Sequence, residues 1–214
     1  MIRGTTCALL TVLMLGALGV SGVTPAAVAE PTCTNGIELI VARGTREPGY
    51  LGAAIGDPLT VALRGVLEMP VTTYPVAYPA ELLDPMSVGR GSADLVRHLI
   101  EMSTACPEQR FVVAGYSQGA AVVHAALGND LAGAIPGTVR LPTYLAPRIS
   151  TVLLFGDPLR LVGQAGLPGP WQTGSWCTHG DPVCQVGGSQ PFAHVAYGDT
   201  ITAAAQFTAS VLQY

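Results

Sequence analysis

The segment Gly115-Tyr116-Ser117-Gln118-Gly119 places a serine between two glycines, after an apolar run and before an alanine-rich stretch. This spacing matches the G-x-S-x-G elbow, a sharp strand-to-helix turn that projects the serine hydroxyl above the end of a sheet. Glycine is needed on both sides because a Cβ there would collide with neighbouring backbone. The helix that follows directs its free N–H groups and positive dipole end at the same point. The pattern predicts a nucleophilic serine beside a site that stabilises an oxyanion.

A serine hydroxyl needs a base to act as a nucleophile, and four histidines compete for that role. His98 and His124 lie in predicted helices, where packing or surface exposure explains them. His179 and His194 lie downstream in predicted loops. Hydrolases with this elbow run serine, acid, histidine along the chain. His194 leaves several acids between itself and Ser117 and immediately precedes the last predicted helix, so we predict His194 as the base.

Two aspartates compete for the role of the acid, and both stand in a Gly-Asp-Pro triplet. Asp157 follows a predicted strand, where hydrolases of this kind often display a carboxylate. Asp181 lies between Cys177 and Cys184, and a disulfide there would hold the acid rigidly against an imidazole. The residues alone favour neither aspartate strongly, and the other one would then be a turn residue.

Alternating strands and helices must position these side chains. Apolar, β-branched runs predict four strands at Gly36–Ala42, Val71–Tyr78, Phe111–Gly115 and Thr151–Phe155. Apolar residues at helical spacing predict helices at Pro58–Glu68, Ser92–Thr104, Gln118–Leu127 and 199–213. Residues 163–174, rich in glycine and proline, are predicted to form a surface loop, with Trp171 and Trp176 as packing anchors. Near-continuous apolar strands separated by helices favour one α/β domain with a parallel sheet covered on both faces.

The N-terminus predicts export. Arg3 precedes an apolar run from residue 7 to 20, which is short for a membrane span. Ala27-Val28-Ala29 is typical of a signal-peptidase site. We therefore predict a signal peptide over residues 1–29 and a secreted domain over residues 30–214. An uncleaved membrane anchor is the alternative, and a lipoprotein anchor is disfavoured because no lipobox precedes Cys33.

Cysteine usage agrees with an oxidising compartment. Of the five cysteines, Cys7 lies in the predicted signal peptide, which leaves an even set of four. Two disulfides are the default, with three possible pairings. The short spacing between Cys177 and Cys184 suggests a local pair, which leaves Cys33 with Cys106. A zinc site is disfavoured because the chain has no C-x-x-C pair and no H-x-x-x-H set.

Charge and composition limit the classes of molecule that the protein is expected to bind. The net charge is −4, and every basic residue is a scattered arginine, so nucleic-acid binding has no electrostatic footprint. Charged residues make up 11% and hydrophobic residues 49% of the chain. An apolar surface of this kind tolerates lipid or polyester interfaces, although a large core explains the composition equally well. We expect a monomer without metal or cofactor.

Four markers, in order, resemble the cutinase family and specifically its bacterial cutinase-like serine esterases. They are the strand after Cys33 ending in the segment 42–47 (ARGTRE), the elbow around Ser117, the cysteine pair around Asp181, and His194 with Tyr197 three residues on. The resemblance covers most of the chain after the predicted signal peptide. It implies an α/β-hydrolase fold with a central, mostly parallel sheet of about five strands and helices on both faces.

The resemblance also implies a role for individual residues. The acid of the triad lies in the disulfide-clamped loop, which implies Asp181 and makes Asp157 a structural turn residue. The oxyanion is held by the backbone amides of Gln118 and Thr45. The first cysteine pairs with one before the elbow strand, which matches Cys33 with Cys106. The segment Gly128–Ser150 aligns with no motif of the family and leaves the substrate open.

These residues predict a secreted serine esterase that needs no cofactor. An acyl-enzyme on Ser117 would hydrolyse short- to medium-chain acyl esters, lipids or cutin-like polyesters. The expected apolar walls of the site are Leu82, Leu83, Val183 and Phe192, although core packing explains them equally well. The alternatives are an acyltransferase of envelope lipids, which would use the same triad, and a catalytically silent binding module.

Overall fold

The computed structural model describes Met1 and residues 33–213. The chain divides into two units, Met1–Glu30 and Pro31–Tyr214, and every element below lies in the second. The predicted signal peptide, apart from Met1, lies outside the described residues. Within the described part of the chain, every helix is too short or too polar to cross a bilayer.

Five parallel strands form one sheet. They are β1 (Ile37–Ala42), β2 (Val71–Pro75), β3 (Arg110–Tyr116), β4 (Ile149–Phe155) and β5 (Gln172–Trp176). The order is β2-β1-β3-β4-β5, and each neighbouring pair runs parallel. The three central strands are almost entirely buried, as expected for strands with apolar side chains on both faces. The predicted fold class is confirmed.

Helices cover both faces of the sheet. They are α1 (Gly56–Val66), α2 (Ser87–Ala105), α3 (Gln118–Ala126), the short α4 (Asp130–Gly133) and α5 (Gly198–Leu212). Short 3₁₀ turns occupy Thr143–Arg148, Pro158–Val162 and Pro191–Val195. α1 and α5 bury apolar residues against one face of the sheet, and α2 and α3 against the other. The sheet therefore separates two apolar cores.

The predicted loop over residues 163–174 is wrong at its end, where β5 begins. β5 is an edge strand that pairs only with β4, so it carries small and polar residues instead of an apolar run. Trp171, just before β5, and Trp176, its last residue, do pack as predicted. Trp171 lies against the core under α2 and α3, and Trp176 stacks on Phe155 with ring centroids 5.0 Å apart.

The strand order places a ligand site between β1 and β3. The chain leaves β1 for β2 on one side and then continues from β3 towards β5 on the other. Open parallel sheets bind ligands at such a reversal, outside the carboxyl ends of the strands. Thr45 follows β1 and Ser117 follows β3, so both lie at this point.

Candidate active site

Ser117 occupies a strained turn between β3 and α3. Its backbone has φ 55° and ψ −118°, a region that costs a residue with a side chain about 1–3 kcal/mol. Its N–H donates to the carbonyl of Phe155 at 2.9 Å, which anchors the turn on β4. A Cβ on Gly115 would lie 2.6 Å from the carbonyl oxygen of Gly119, and a Cβ on Gly119 would lie 1.9 Å from that of Ala42. The turn therefore requires glycine on both sides of the serine.

The structure brings together the three residues predicted as a triad. His194 Nε2 lies 2.9 Å from Ser117 Oγ, and His194 Nδ1 lies 2.8 Å from Asp181 Oδ2. In this arrangement the neutral imidazole accepts the serine proton on Nε2 and donates from Nδ1 to the carboxylate. The side chain of Asp181 is fully buried, whereas that of His194 is partly open to solvent. The three groups form one hydrogen-bonded chain, and their catalytic roles stay predictions.

Asp181 is held as a carboxylate by three donors. Besides His194, its Oδ2 accepts from the hydroxyl of Tyr197 at 2.5 Å, and its Oδ1 accepts from the N–H of Val183 at 2.8 Å. Burial raises the pKa of Asp181, but the bonds from Tyr197, His194 and Val183 outweigh it and hold that pKa below its ordinary value of 3.8. Burial and the neighbouring carboxylate raise the pKa of Tyr197, which therefore remains a donor. Asp181 is therefore ionised at neutral pH.

Two disulfides fix the segments around the site. Cys177 and Cys184 close a short loop around Asp181, and Cys33 is joined to Cys106 just before β3. These are the pairings that the sequence predicts. In the loop, the N–H of Gly180 donates to Gln185 Oε1 at 2.7 Å. Asp181 therefore sits in a loop that is closed both covalently and by hydrogen bonds.

Two backbone amides beside Ser117 are available to an oxyanion. Gln118 is the first residue of α3, so its N–H has no acceptor within that helix. Its side chain donates from Nε2 to the carbonyl of Glu81 at 3.1 Å. Thr45 lies in a turn after β1, and among the described residues its N–H has no acceptor. Both residues line the same pocket as Ser117, where the oxyanion donors are predicted.

The pocket over Ser117 and His194 has a volume of about 810 Å³, within the range of small-molecule sites. Its apolar lining includes Ala53, Ala54, Leu82, Val88, Ala121, Ile135, Pro158, Val183 and Val195. Of the predicted wall residues, Leu82 and Val183 line the pocket. Leu83 and Phe192 lie outside the lining, and their side chains are 89% and 85% exposed. The pocket suits an acyl chain. The exposed Leu83 and Phe192 lie close in sequence to the lining residues Leu82 and His194.

The competing histidines and the second aspartate lie elsewhere. His124 and Asp157 are fully buried and face each other, with His124 Nε2 at 2.9 Å from Asp157 Oδ2. Asp157 Oδ1 also accepts from the N–H of Leu159, which is the turn role that the resemblance implies. His98 Nε2 lies 3.0 Å from a carboxylate oxygen of Glu38. His179 is exposed in the disulfide loop.

One cluster near the site has the spacing of metal ligands. The sulfurs of Cys177 and Cys184 and a carboxylate oxygen of Asp181 lie within 4.8 Å of one another. Both sulfurs belong to a disulfide, so neither is a thiolate that could bind a metal ion. Asp181 already accepts from three donors. This donor set does not fit a metal.

Comparisons with known proteins agree on one family. A family model described as Cutinase matches residues 32–212. A protein of Kineococcus radiotolerans named cutinase is 36% identical over 194 residues, which is 85% of this chain and 63% of that protein. The chain thus spans just under two thirds of the length of this relative. A Mycobacterium tuberculosis protein named phospholipase Culp4 is 36% identical over 178 residues, which is 81% of this chain and 77% of that protein.

A solved structure shows the same fold. Trichoderma reesei cutinase, in complex with a C11Y4 phosphonate inhibitor, superposes with a TM-score of 0.69 and 28% sequence identity. The match covers 85% of this chain and 78% of the cutinase chain. The family model, which matches residues 32–212, covers Ser117, Asp181 and His194.

Proposed function

The chain belongs to the cutinase family, and on this premise we propose that it is a secreted serine esterase acting through an acyl-enzyme on Ser117. The observation that carries the proposal is the unbroken hydrogen-bonded chain from Ser117 Oγ through His194 to Asp181, below an apolar pocket. The backbone amides of Thr45 and Gln118, for which the described residues offer no acceptor outside α3, belong to the lining of the same pocket.

The geometry supports the following sequence of steps. His194 Nε2 takes the proton as Ser117 Oγ bonds to the ester carbonyl carbon, and Asp181 stabilises the imidazolium. The amides of Thr45 and Gln118 donate to the carbonyl oxygen as it becomes an oxyanion. His194 then protonates the leaving alcohol, which leaves the acyl group on Ser117. A water molecule, deprotonated by His194, attacks the acyl-enzyme, and His194 returns that proton to Ser117 Oγ as the bond to the acyl group breaks and the acid leaves.

The pocket supports short- to medium-chain acyl esters as substrates, because its lining is largely apolar and holds an acyl chain of several carbons. The exposed Leu83 and Phe192, together with the rim residues Leu82 and Val195, support action at a lipid or polyester surface. A relative named phospholipase and relatives named cutinase are consistent with that wider class. Two disulfides support secretion, since they persist in oxidising compartments.

The test is turnover of p-nitrophenyl butyrate by the wild-type protein and by Ser117→Ala. The variant loses turnover and is no longer labelled by a fluorophosphonate probe, whereas the matched control Ser210→Ala on the surface of α5 keeps both. Adding glycerol and analysing the products separates hydrolysis from acyl transfer. Equal turnover by wild type and Ser117→Ala would refute the proposal.

A further inference from the structure

Glu47 closes the turn that carries Thr45. Its Oε2 accepts from the N–H of Gly44 at 2.5 Å, and its own N–H donates to the carbonyl of Gly44 at 3.2 Å. The turn from Gly44 to Glu47 is therefore bonded twice, once through the side chain and once through the backbone. Its Arg46 has φ 52°, an uncommon conformation for a residue with a side chain, so the turn depends on such restraints.

The same carboxylate joins the turn to the segment that leads into α1. Glu47 Oε1 accepts from the N–H of Ala54 at 2.7 Å. The carboxylate fills the space beside Gly52, where a Cβ would lie 2.6 Å from Oε2. Glu47, Thr45 and Ala54 all line the pocket over Ser117. Glu47 is thus built into the wall of the site, with both oxygens occupied by backbone donors.

The backbone bond within this turn fixes the direction of the Thr45 amide. The peptide between Gly44 and Thr45 is planar and trans, so its N–H points away from its C=O. The carbonyl of Gly44 is held by the N–H of Glu47, which leaves the N–H of Thr45 directed away from that bond. Losing the carboxylate would free the N–H of Gly44 and that of Ala54, so the turn that fixes this peptide would lose both of its side-chain restraints.

Glu47 is not positioned as a proton donor or acceptor for a substrate. Burial raises the pKa of Glu47, while the amides of Gly44 and Ala54 oppose that rise by binding the ionised form. A negative charge near a developing oxyanion is unfavourable in itself. The carboxylate therefore acts through its hydrogen bonds, since it accepts from the N–H of Gly44 in the turn and from that of Ala54 before α1.

We propose that Glu47 is a positioning residue that holds the Thr45 amide in place to bind the oxyanion. This inference rests on the proposed function, because it presupposes that an oxyanion forms on the ester bound at Ser117. Glu47 acts on the transition state through Thr45, so its removal affects the reaction step more than substrate binding.

The experiment compares Glu47→Gln with Asp57→Asn. Asp57 is the matched control, because it also accepts a backbone N–H of the segment after the turn, that of Leu51 at 3.0 Å, but does not bond the turn. In Glu47→Gln we expect kcat for p-nitrophenyl butyrate to fall about tenfold to hundredfold, less than loss of an entire oxyanion donor. We expect KM to stay within about twofold, and affinity for an alkyl trifluoromethyl ketone, which forms an oxyanion on the serine, to fall in parallel with kcat/KM. Asp57→Asn keeps all three values within about twofold.

The kinetic constants of Glu47→Gln decide whether Glu47 positions the Thr45 amide. A kcat within twofold of wild type in Glu47→Gln, or a rise in KM with kcat unchanged, would overturn the inference. If circular dichroism shows that Glu47→Gln is unfolded, Glu47→Asp is measured instead. That variant keeps the charge but is too short to reach both amides, and a wild-type kcat in it would equally overturn the inference. Failure of the proposed function is recognised separately, since the wild-type protein itself would then lack Ser117-dependent turnover.

Discussion

Tyr116 donates a hydrogen bond from its hydroxyl to the main-chain carbonyl of His194, a residue 78 positions further along the chain. The two rings also stack, with centroids 5.2 Å apart. The residue immediately before Ser117 therefore holds His194 in two ways. Burial raises the pKa of Tyr116, which keeps its hydroxyl protonated as a donor.

Tyr116→Phe keeps the ring stack and removes the hydrogen bond. We expect kcat to fall about tenfold, because His194 loses a restraint on its orientation toward Ser117. We expect the free energy of unfolding to fall by about 1 kcal/mol, the usual net value of one such bond. Ester turnover and thermal unfolding measure both effects, with the exposed Tyr50→Phe as control. A loss of stability without any loss of kcat would contradict the positioning of His194 by Tyr116.

Asp181→Asn and Asp157→Asn are expected to differ in their effect on kcat. Asp181→Asn loses the carboxylate that fixes the tautomer of His194, so kcat falls about 10³- to 10⁴-fold even in the protein that remains folded. Asp157→Asn disrupts the buried pair with His124, so the free energy of unfolding falls by about 2 kcal/mol or more while the folded enzyme keeps its kcat. Turnover normalised to folded protein, together with thermal unfolding, separates the two. A large loss of kcat in Asp157→Asn with Asp181→Asn active would reassign the acid.

Tyr197→Phe tests how the acid is held. At pH 7 the variant is expected to lose about 2 kcal/mol of unfolding free energy, the scale of a hydrogen bond to a charged group. Because the folded-state pKa of Asp181 lies below 3.8, its contribution is complete above that pH and is lost as the pH falls through the folded-state pKa. The difference in unfolding free energy between the wild type and Tyr197→Phe should therefore shrink below about pH 3.8. Unfolding curves between pH 7 and pH 3 measure it, with the exposed Tyr144→Phe as control. A difference that does not change with pH would contradict a bond to an ionised Asp181.

The Cys33–Cys106 disulfide is expected to contribute more to stability, and the Cys177–Cys184 disulfide more to kcat. The Cys33–Cys106 bond spans 73 residues and the Cys177–Cys184 bond spans 7. By chain entropy, replacing each pair by serine costs about 4 and about 2.5 kcal/mol respectively. The shorter loop holds Asp181, so its removal lowers kcat more although it costs less stability. Denaturant unfolding and ester turnover of both double variants test this reversal, and the same rank order for both quantities would contradict it.

The exposed apolar side chains outside the pocket are expected to matter only at an interface. Replacing both Leu83 and Phe192 by serine should lower hydrolysis of a polyester film or phospholipid vesicle about tenfold relative to soluble butyrate ester, since each buried apolar side chain contributes about 1.5–3 kcal/mol at most. Val61→Ser, an exposed apolar position on α1, serves as control. Equal losses on soluble and interfacial substrates would show that the two residues do not act at a surface.

The serine elbow and most of the sheet were predictable because their signals are local. The central strands are continuous apolar runs, and the elbow needs glycines at fixed offsets from Ser117. β5 was missed because an edge strand needs no apolar face. α2 begins at Ser87, before its predicted start, across Gly89 and Gly91. A Cβ on Gly89 would lie 2.1 Å from the carbonyl oxygen of Pro136, so contacts with a distant segment determine this part of the helix.

The acid shows where residue types alone do not suffice. Asp157 and Asp181 share the triplet Gly-Asp-Pro, and each meets a histidine, at 2.9 and 2.8 Å. Only the fold distinguishes a pair sealed inside the core from one that reaches Ser117. The bond from Tyr116 to His194 could not be predicted for the same reason, since it joins residues 78 positions apart that meet only in the fold.

The predicted acid Asp181 and the predicted base His194 both lie within residues 177–197, which follow β5 and add no strand to the sheet. Segments of this kind open locally at a lower free energy than a buried sheet. Warming should therefore abolish ester turnover while the amide protons of β1 and β3 still resist exchange with solvent. We therefore expect the temperature limit of turnover to depend on this stretch of about twenty residues, and we expect cooling to restore turnover while the Cys177–Cys184 disulfide is intact.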